Sequence, residues 1–186
     1  IKAGYQSIEK RIEIKGIDVK FQVFSNGRKV ENFQPVGAYM FGTDGVAIRK
    51  ARISFQNGCI ECKKPTDETA GLALLWPIEG FGKIMLPTTC LPEREEPYVL
   101  NVEIARAKLM QIINKREDWA YFNALKQMRA NSDQARDLFI EAVKNIGKPV
   151  KAPEFADKSL KKAIPFAEGL AVKQAQVLFD KKRNNN

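Results

Sequence analysis

The sequence predicts an α+β protein in which an antiparallel β-sandwich comes first and a helical segment follows. Residues 1–98 contain short stretches in which apolar and polar residues alternate, and Gly-containing turns separate them. Beyond that point apolar residues recur every three or four positions, which is the spacing of an amphipathic helix. We therefore expect a β-sandwich domain over 1–98, a helical segment over 99–182 and a tail over 183–186.

The first strands are predicted by alternation alone. Residues 11–15 and 18–23 alternate between apolar and polar side chains, as a strand with one buried face requires. The pair Asn26-Gly27 follows the second stretch and is typical of tight hairpin turns. Shorter apolar stretches at 36–41 and 47–55 continue the pattern.

The clearest predicted element is a hairpin with its turn at Asn57-Gly58. This register places Phe55 opposite Ile60 and Ile53 opposite Cys62, so that one face of the hairpin is apolar. Further along, residues 71–76 and 83–86 are apolar enough to be strands buried on both faces.

Three helices are predicted in the second half. The first carries apolar residues from Val102 to Trp119, and the second begins after Asn131 or Ser132 and ends before Gly147 at its C′ position. The third has Pro153 in its first turn and continues to Leu178, with a kink or a break at Pro165. The final residues, 181–186, are expected to form a frayed tail.

Charge and hydropathy restrict the classes of partner. The formal net charge is +9, and residues 100–186 hold 17 basic against 10 acidic side chains, compared with 14 against 12 over 1–99. This excess indicates either a solvated helical surface or weak binding of nucleic acid or another polyanion through lysines such as Lys158, Lys161, Lys162 and Lys173. No stretch of about 18 apolar residues exists, so no membrane span is expected.

No catalytic residue, cofactor or metal ligand is predicted. The chain has no histidine, which removes the commonest general base and the Ser–His and Cys–His pairs. Cys59 and Cys62 suggest a zinc or redox motif, but a spacing of three places their side chains on opposite faces of a strand. Cys90 has no second cysteine near it in the sequence.

Aromatic residues are the candidate binding groups. Trp76 precedes Pro77 in a connection that contains two glycines, where an indole could lie exposed and stack on the C–H face of a sugar ring. Tyr39 and Tyr98 could serve in the same way. The alternative is that Trp76 is part of the core, as most aromatic side chains are.

Several segments together resemble a known family. They include GLALLWPIEGFG at 71–82 and LPTTCLPER at 86–94, with further similarity at 37–46, 97–106 and 109–119. They resemble the N-terminal region of bacterial proteins related to glycoside hydrolase family 10, the endo-1,4-β-xylanase group. The similarity covers residues 18–180 and is strongest over 70–119.

The resemblance implies a non-catalytic role. In that family a (β/α)₈ catalytic barrel of about 250 residues follows this region and carries both catalytic glutamates, so no position here corresponds to them. The resemblance implies a carbohydrate-binding-module-like accessory domain that positions the barrel near a polysaccharide, with xylan-like chains as the candidate ligand. The alternative is a structural or assembly module whose helices dock on another chain or on a second copy.

Overall fold

The computed structural model describes residues 19–25, 27–117 and 126–184 and confirms the α+β class. The predicted strand at 11–15, Asn26 and Trp119 lie outside the described residues. The strands are β1 Val19–Gln22, β2 Phe24–Ser25, β3 Arg28–Lys29, β4 Tyr39–Phe41, β5 Arg52–Gln56, β6 Cys59–Lys63, β7 Gly71–Ile78, β8 Gly82–Pro87 and β9 Tyr98–Val99. The helices are α1 Leu100–Glu117, α2 Lys126–Lys144 and α3 Lys151–Asn184.

The strands in the described ranges form three small sheets. Four strands pair in the order β5-β6-β1-β9, three in the order β4-β7-β8, and β2 pairs with β3. Strand β1 is antiparallel to β6 but parallel to β9. A closed β-sandwich, the architecture expected from the sequence, is not confirmed, because the strands are divided among several small sheets.

The Asn57-Gly58 hairpin has the predicted register. Phe55 pairs with Ile60, and Ile53 pairs with Cys62. Asn57 and Gly58 have φ values of 52° and 75°, and two positive φ values in succession are what a two-residue type I′ turn requires. Turn chemistry and apolar alternation therefore both determined this register.

Strands β7 and β8 pair as neighbours, but only β7 is largely buried. Its inward side chains Leu72, Leu74 and Trp76 are in the core. In β8 only Leu86 is buried, so the prediction of burial on both faces is wrong for this strand. The reason is that Met85 lies on the same face of the sheet as Tyr39, and that face is open to solvent, with Met85 41% exposed.

Helix α1 forms where it was predicted, whereas α2 begins earlier than expected. It starts at Lys126 instead of after Asn131 or Ser132, and Ser132 is buried within it. One turn later, the Ser159 hydroxyl of α3 donates a 2.7 Å hydrogen bond to the carbonyl of Ala135 in α2. The preference of Asn and Ser for helix starts is a weak local signal, and it did not decide where this helix begins.

The ends of α2 and α3 also differ from the prediction. Helix α2 ends at Lys144, and Gly147 lies beyond it without a positive φ, so Gly147 is not a left-handed C′ residue. Helix α3 has no break at Pro165, the second of the two alternatives, and buried Ile164 and Phe166 lie on either side of the proline. Residues 181–184, expected to be a frayed tail, belong to this helix.

One hydrophobic core joins strands and helices across the predicted boundary at residue 98. It contains Phe21 and Ile60 of one sheet, Leu74 of another, Ile104 of α1 and Leu160 of α3. A smaller cluster lies among the helices and is formed by Leu109, Ile112, Ala135, Ala163, Phe166 and Leu170. Within the described ranges, no helix has the apolar length that crossing a bilayer requires.

Candidate functional site

Trp76, the first predicted sugar platform, is a core residue. Only 4% of it is exposed, and its ring centroid lies 6.0 Å from that of Phe33. The inward-facing register of β7 causes this burial, since Trp76 alternates with the exposed Pro77. Of the two alternatives for Trp76, an exposed platform or a core residue, the structure supports the core residue, and Trp76 is removed as a sugar-binding candidate.

Tyr98 is also unsuited to stacking on a ligand. It is 7% exposed, its hydroxyl donates a 3.0 Å hydrogen bond to the carbonyl of Pro92, and the Arg94 guanidinium lies 3.4 Å from its ring centroid. Burial raises the pKa of the Tyr98 phenol. The ring face is thus already covered by a cation from its own chain.

Tyr39 is the predicted aromatic residue that the structure leaves accessible. It is 43% exposed on β4, opposite Ala73 of β7. The Phe41 ring, two positions along the same face, has its centroid 6.4 Å away at an angle of 59°. Phe41 faces Gly71, where a Cβ atom would come within 2.7 Å of the ring. Gly71 therefore lets this ring lie close against the sheet.

The surface around these two rings is apolar. Strand pairing places Leu75 and Met85 on the same face as Tyr39. Val36 adjoins them, because its carbonyl accepts a hydrogen bond from the Leu75 amide. We call the surface formed by Val36, Tyr39, Phe41, Leu75 and Met85 the outer sheet face.

A groove of about 290 Å³ borders the outer sheet face at Phe41 and runs between the end of β8 and α1. Its polar lining is supplied by Thr88, Thr89, Lys108, Gln111 and Asn114. The Lys108 ammonium donates a 3.1 Å hydrogen bond to Gln111 Oε1, and burial lowers the pKa of Lys108. The groove thus combines an aromatic edge with hydroxyl, amide and amine groups.

A second concavity, of about 600 Å³, lies between the β2–β3 hairpin, the end of β7 and the first half of α3. We call it the α3 cleft. Its apolar lining is Val23, Phe24, Val30, Phe33, Trp76, Pro77, Ile78 and Val150, and its ionisable lining is Glu79, Glu154, Asp157, Lys158 and Lys161. The aromatic side chains are thus on the strand side, and most of the charges are on the helix side.

Asp157 is the most perturbed ionisable group of the α3 cleft. Its Oδ1 accepts a 2.8 Å hydrogen bond from Asn101 Nδ2. Desolvation by burial raises the pKa of Asp157 to about 6, against the lowering effects of the Asn101 hydrogen bond and the Lys161 charge. The Asn101 amide is itself held by both backbone groups of Phe24, at 3.3 Å and 3.1 Å.

The other charges of the α3 cleft form ion pairs. Lys158 pairs with Glu154 at 2.6 Å, and Lys161 of α3 pairs with Glu79 in the turn after β7. Two of the four lysines that the sequence suggested for polyanion binding are thus already neutralised within the chain.

The described residues provide no group of three or more side chains placed to hold a metal ion. None of the three cysteines is in a disulfide, and Cys59 is half-buried whereas Cys62 is fully buried. Sequence reasoning missed Phe41, Phe33 and Asp157. Alternation at 39–41 could have indicated Phe41, but only the approach of α3 to the strands brings Asp157 near Phe33.

No protein-family model, curated protein or solved structure matches this chain. The resemblance to the family 10 accessory region therefore stays a prediction from the sequence.

Proposed function

We propose that this chain is a non-catalytic, carbohydrate-binding accessory module of a glycoside hydrolase family 10-like protein, which positions a catalytic barrel near a polysaccharide such as xylan. The observation that carries the proposal is Tyr39, exposed on the outer sheet face beside a groove lined with hydrogen-bonding groups. The accessory role itself rests on the sequence resemblance.

The two parts of this surface match the two parts of a sugar. A pyranose ring has apolar C–H faces, which stack on an aromatic ring, and a rim of hydroxyls, which need hydrogen-bond partners. Tyr39 offers the ring, while Thr89, Gln111 and Asn114 offer a hydroxyl and two amides in the adjacent groove. A polysaccharide chain lying across the outer sheet face into the groove would use both.

We also propose that the sheets represent an open variant of the sandwich found in carbohydrate-binding modules. In support, the four-stranded sheet contributes Phe21 and Ile60 to the core and the three-stranded sheet contributes Met40 and Leu74. Two sheets that bury side chains in one core are the basis of a sandwich, even though α1 and α3 share that core here.

Retention by insoluble polysaccharide tests the proposal. The 186-residue chain should bind insoluble xylan, and Tyr39→Ala should weaken the apparent association constant at least about tenfold, or about 1.4 kcal/mol. Phe81→Ala is the matched control, since Phe81 is 39% exposed but lies in the turn between β7 and β8. The chain alone should release no reducing sugar from xylan.

Three results would contradict the proposal. They are failure of the chain to bind xylan, cellulose or mannan, equal weakening by Tyr39→Ala and Phe81→Ala, and release of reducing sugar above a blank. Unchanged thermal unfolding of both variants would show that altered retention reports on the surface and not on the fold.

A second candidate, an assembly role, is favoured by the end of α3. Among the side chains of this helix that the structure describes, Leu170 is the last buried one, and Val172, Leu178 and Phe179 beyond it are exposed apolar side chains. Such residues are common in helix–helix contacts between chains. Light scattering of the wild type and of a Leu178→Ser/Phe179→Ser variant separates the candidates: a dimer that the variant dissociates supports assembly, and a monomer at all concentrations contradicts self-association.

A further inference from the structure

We propose that the α3 cleft is a second binding site, separate from the outer sheet face, for a small organic cation whose ammonium group is carried on an apolar or aromatic body. The assignment rests on three features of the cleft: its volume, the separation of its apolar side chains from its charged ones, and the pairing of those charges. It does not depend on the carbohydrate-binding proposal, because the two surfaces have no lining residue in common.

The size and lining of the cleft define the body of the ligand. A volume of about 600 Å³ lies within the range of sites that enclose small molecules. The strand side presents the half-buried Phe33 and Val30. The buried Trp76 ring supports Phe33 from below, with the two centroids 6.0 Å apart and the rings inclined by 47°. A flat or aliphatic body would therefore find apolar contacts on this side.

The charges of the cleft define the polar end of the ligand. Lys158 pairs with Glu154 and Lys161 pairs with Glu79, while the Lys161 charge also acts on Asp157. The cleft lining thus carries three carboxyl groups against two ammonium groups. Among the described residues, the Asp157 carboxylate forms no ion pair and accepts one hydrogen bond, from Asn101. One negative charge thus remains on the cleft lining, and a cation would complement it.

Asn101 holds this carboxylate in position. Its amide is bonded to both backbone groups of Phe24 as well as to Asp157 Oδ1, so it links α1, the β2 strand and α3. With Oδ1 occupied, the second oxygen of Asp157 accepts no hydrogen bond from the described residues. A carboxylate that is already ordered and partly desolvated forms a stronger charge-assisted hydrogen bond with a cation than one in water does.

Matched probes test the assignment in the full 186-residue chain. Benzylamine, benzyl alcohol and benzoate share an aromatic body and differ in the charge of the polar group. At pH 7.5 we expect benzylamine to bind at least about tenfold more tightly than benzyl alcohol, and benzoate to bind more weakly than either. Titration followed by protein NMR gives both the affinity and the residues that respond, which should include the Trp76 indole.

Asp157→Asn keeps the shape of the side chain and its acceptor for Asn101 but removes the charge. This variant should lose the preference for benzylamine over benzyl alcohol while still binding both weakly. Asp137→Asn is the control, because Asp137 is an exposed carboxylate elsewhere, paired with Arg136 on α2. Both variants should remain folded in thermal unfolding, so a lost preference would report on the carboxylate.

The pH dependence provides an independent readout. With a pKa of about 6, Asp157 is mostly ionised at pH 7.5 and mostly protonated at pH 5, whereas benzylamine stays protonated throughout. The other ionisable groups facing the cleft are Glu79, Glu154, Lys158 and Lys161, and ion pairing lowers the pKa of both glutamates. In the wild type, the ratio of benzylamine affinity to benzyl alcohol affinity should therefore be lower at pH 5 than at pH 7.5. In Asp157→Asn, this ratio should not change with pH.

The proposal is overturned if benzylamine does not bind, or if it binds no better than benzyl alcohol. It is also overturned if its advantage survives in Asp157→Asn, or if the responding residues are those of the outer sheet face. A tenfold preference that Asp157→Asn abolishes and Asp137→Asn retains would support it, whatever the outcome of the xylan-binding experiment.

Discussion

Asn101 in α1 donates a 2.8 Å hydrogen bond to Asp157 in α3, and this contact lies where the two helices meet the β2 strand. The bond favours the ionised carboxylate, but desolvation outweighs it and raises the pKa of Asp157 to about 6. Carboxylates with a strongly perturbed pKa cluster at functional sites.

The first prediction concerns the pH dependence of stability. Because the pKa of Asp157 rises from 3.8 to about 6 on folding, the folded state binds the proton more tightly than the unfolded chain does. The contribution of the Asp157 carboxyl to the free energy of unfolding is therefore fully present below pH 3.8, and it is lost as the pH rises through 6. Asp157→Asn should therefore be more stable than the wild type at pH 7.5 by up to roughly 3 kcal/mol, with no advantage near pH 3.5.

Urea unfolding at several pH values measures this difference in the free energy of unfolding. Asp137→Asn, a substitution of an exposed carboxylate, should follow the wild-type pH dependence. If the difference in the free energy of unfolding between Asp157→Asn and the wild type stays constant from pH 3.5 to 7.5, the pKa of Asp157 is not raised on folding, and the prediction is wrong.

The second prediction separates the core from the outer sheet face. Trp76→Ala removes a buried indole and should lower the free energy of unfolding by about 3–5 kcal/mol. Tyr39→Ala removes a half-exposed ring and should cost no more than about 1 kcal/mol. Denaturant unfolding of the two variants measures both changes. An equal loss in the free energy of unfolding for the two variants would mean that Trp76 is not a core residue.

The third prediction concerns the close approach of Phe41 to Gly71. The φ of Gly71 is not positive, so alanine fits the backbone, but its Cβ would collide with the Phe41 ring. Gly71→Ala should therefore cost about 1–3 kcal/mol through overpacking and should weaken xylan retention by moving the ring.

Phe41→Ala in the same chain removes the collision, so the double variant should be about as stable as Phe41→Ala alone. Gly147→Ala is the control: nothing lies within 4 Å of its added Cβ, and it should be neutral or slightly stabilising. Additive losses in the double variant would show that the two residues do not touch.

Local chemistry was sufficient to predict several elements. The Asn57-Gly58 hairpin was predicted with its register because the turn residues and the alternation both favour the same pairing. The boundary between strands and helices was predicted to within two residues, since α1 begins at Leu100, where the apolar period changes. Helix ends were less accurate, since α2 begins before Ser132 and α3 continues past the predicted start of the tail.

The sequence by itself determined the α+β class, the hairpin register and the position of the change from strands to helices, because these depend on neighbours within a few residues. Only the tertiary structure decided which aromatic ring is exposed, since the burial of Trp76 and the exposure of Tyr39 depend on what covers each sheet face. The α3 cleft likewise exists because α3 packs beside strands more than 70 positions earlier in the chain, as the Asn101 contacts with Phe24 and Asp157 show. Such long-range proximity leaves no local pattern in the sequence, because burial and charge pairing depend on distance in the folded molecule.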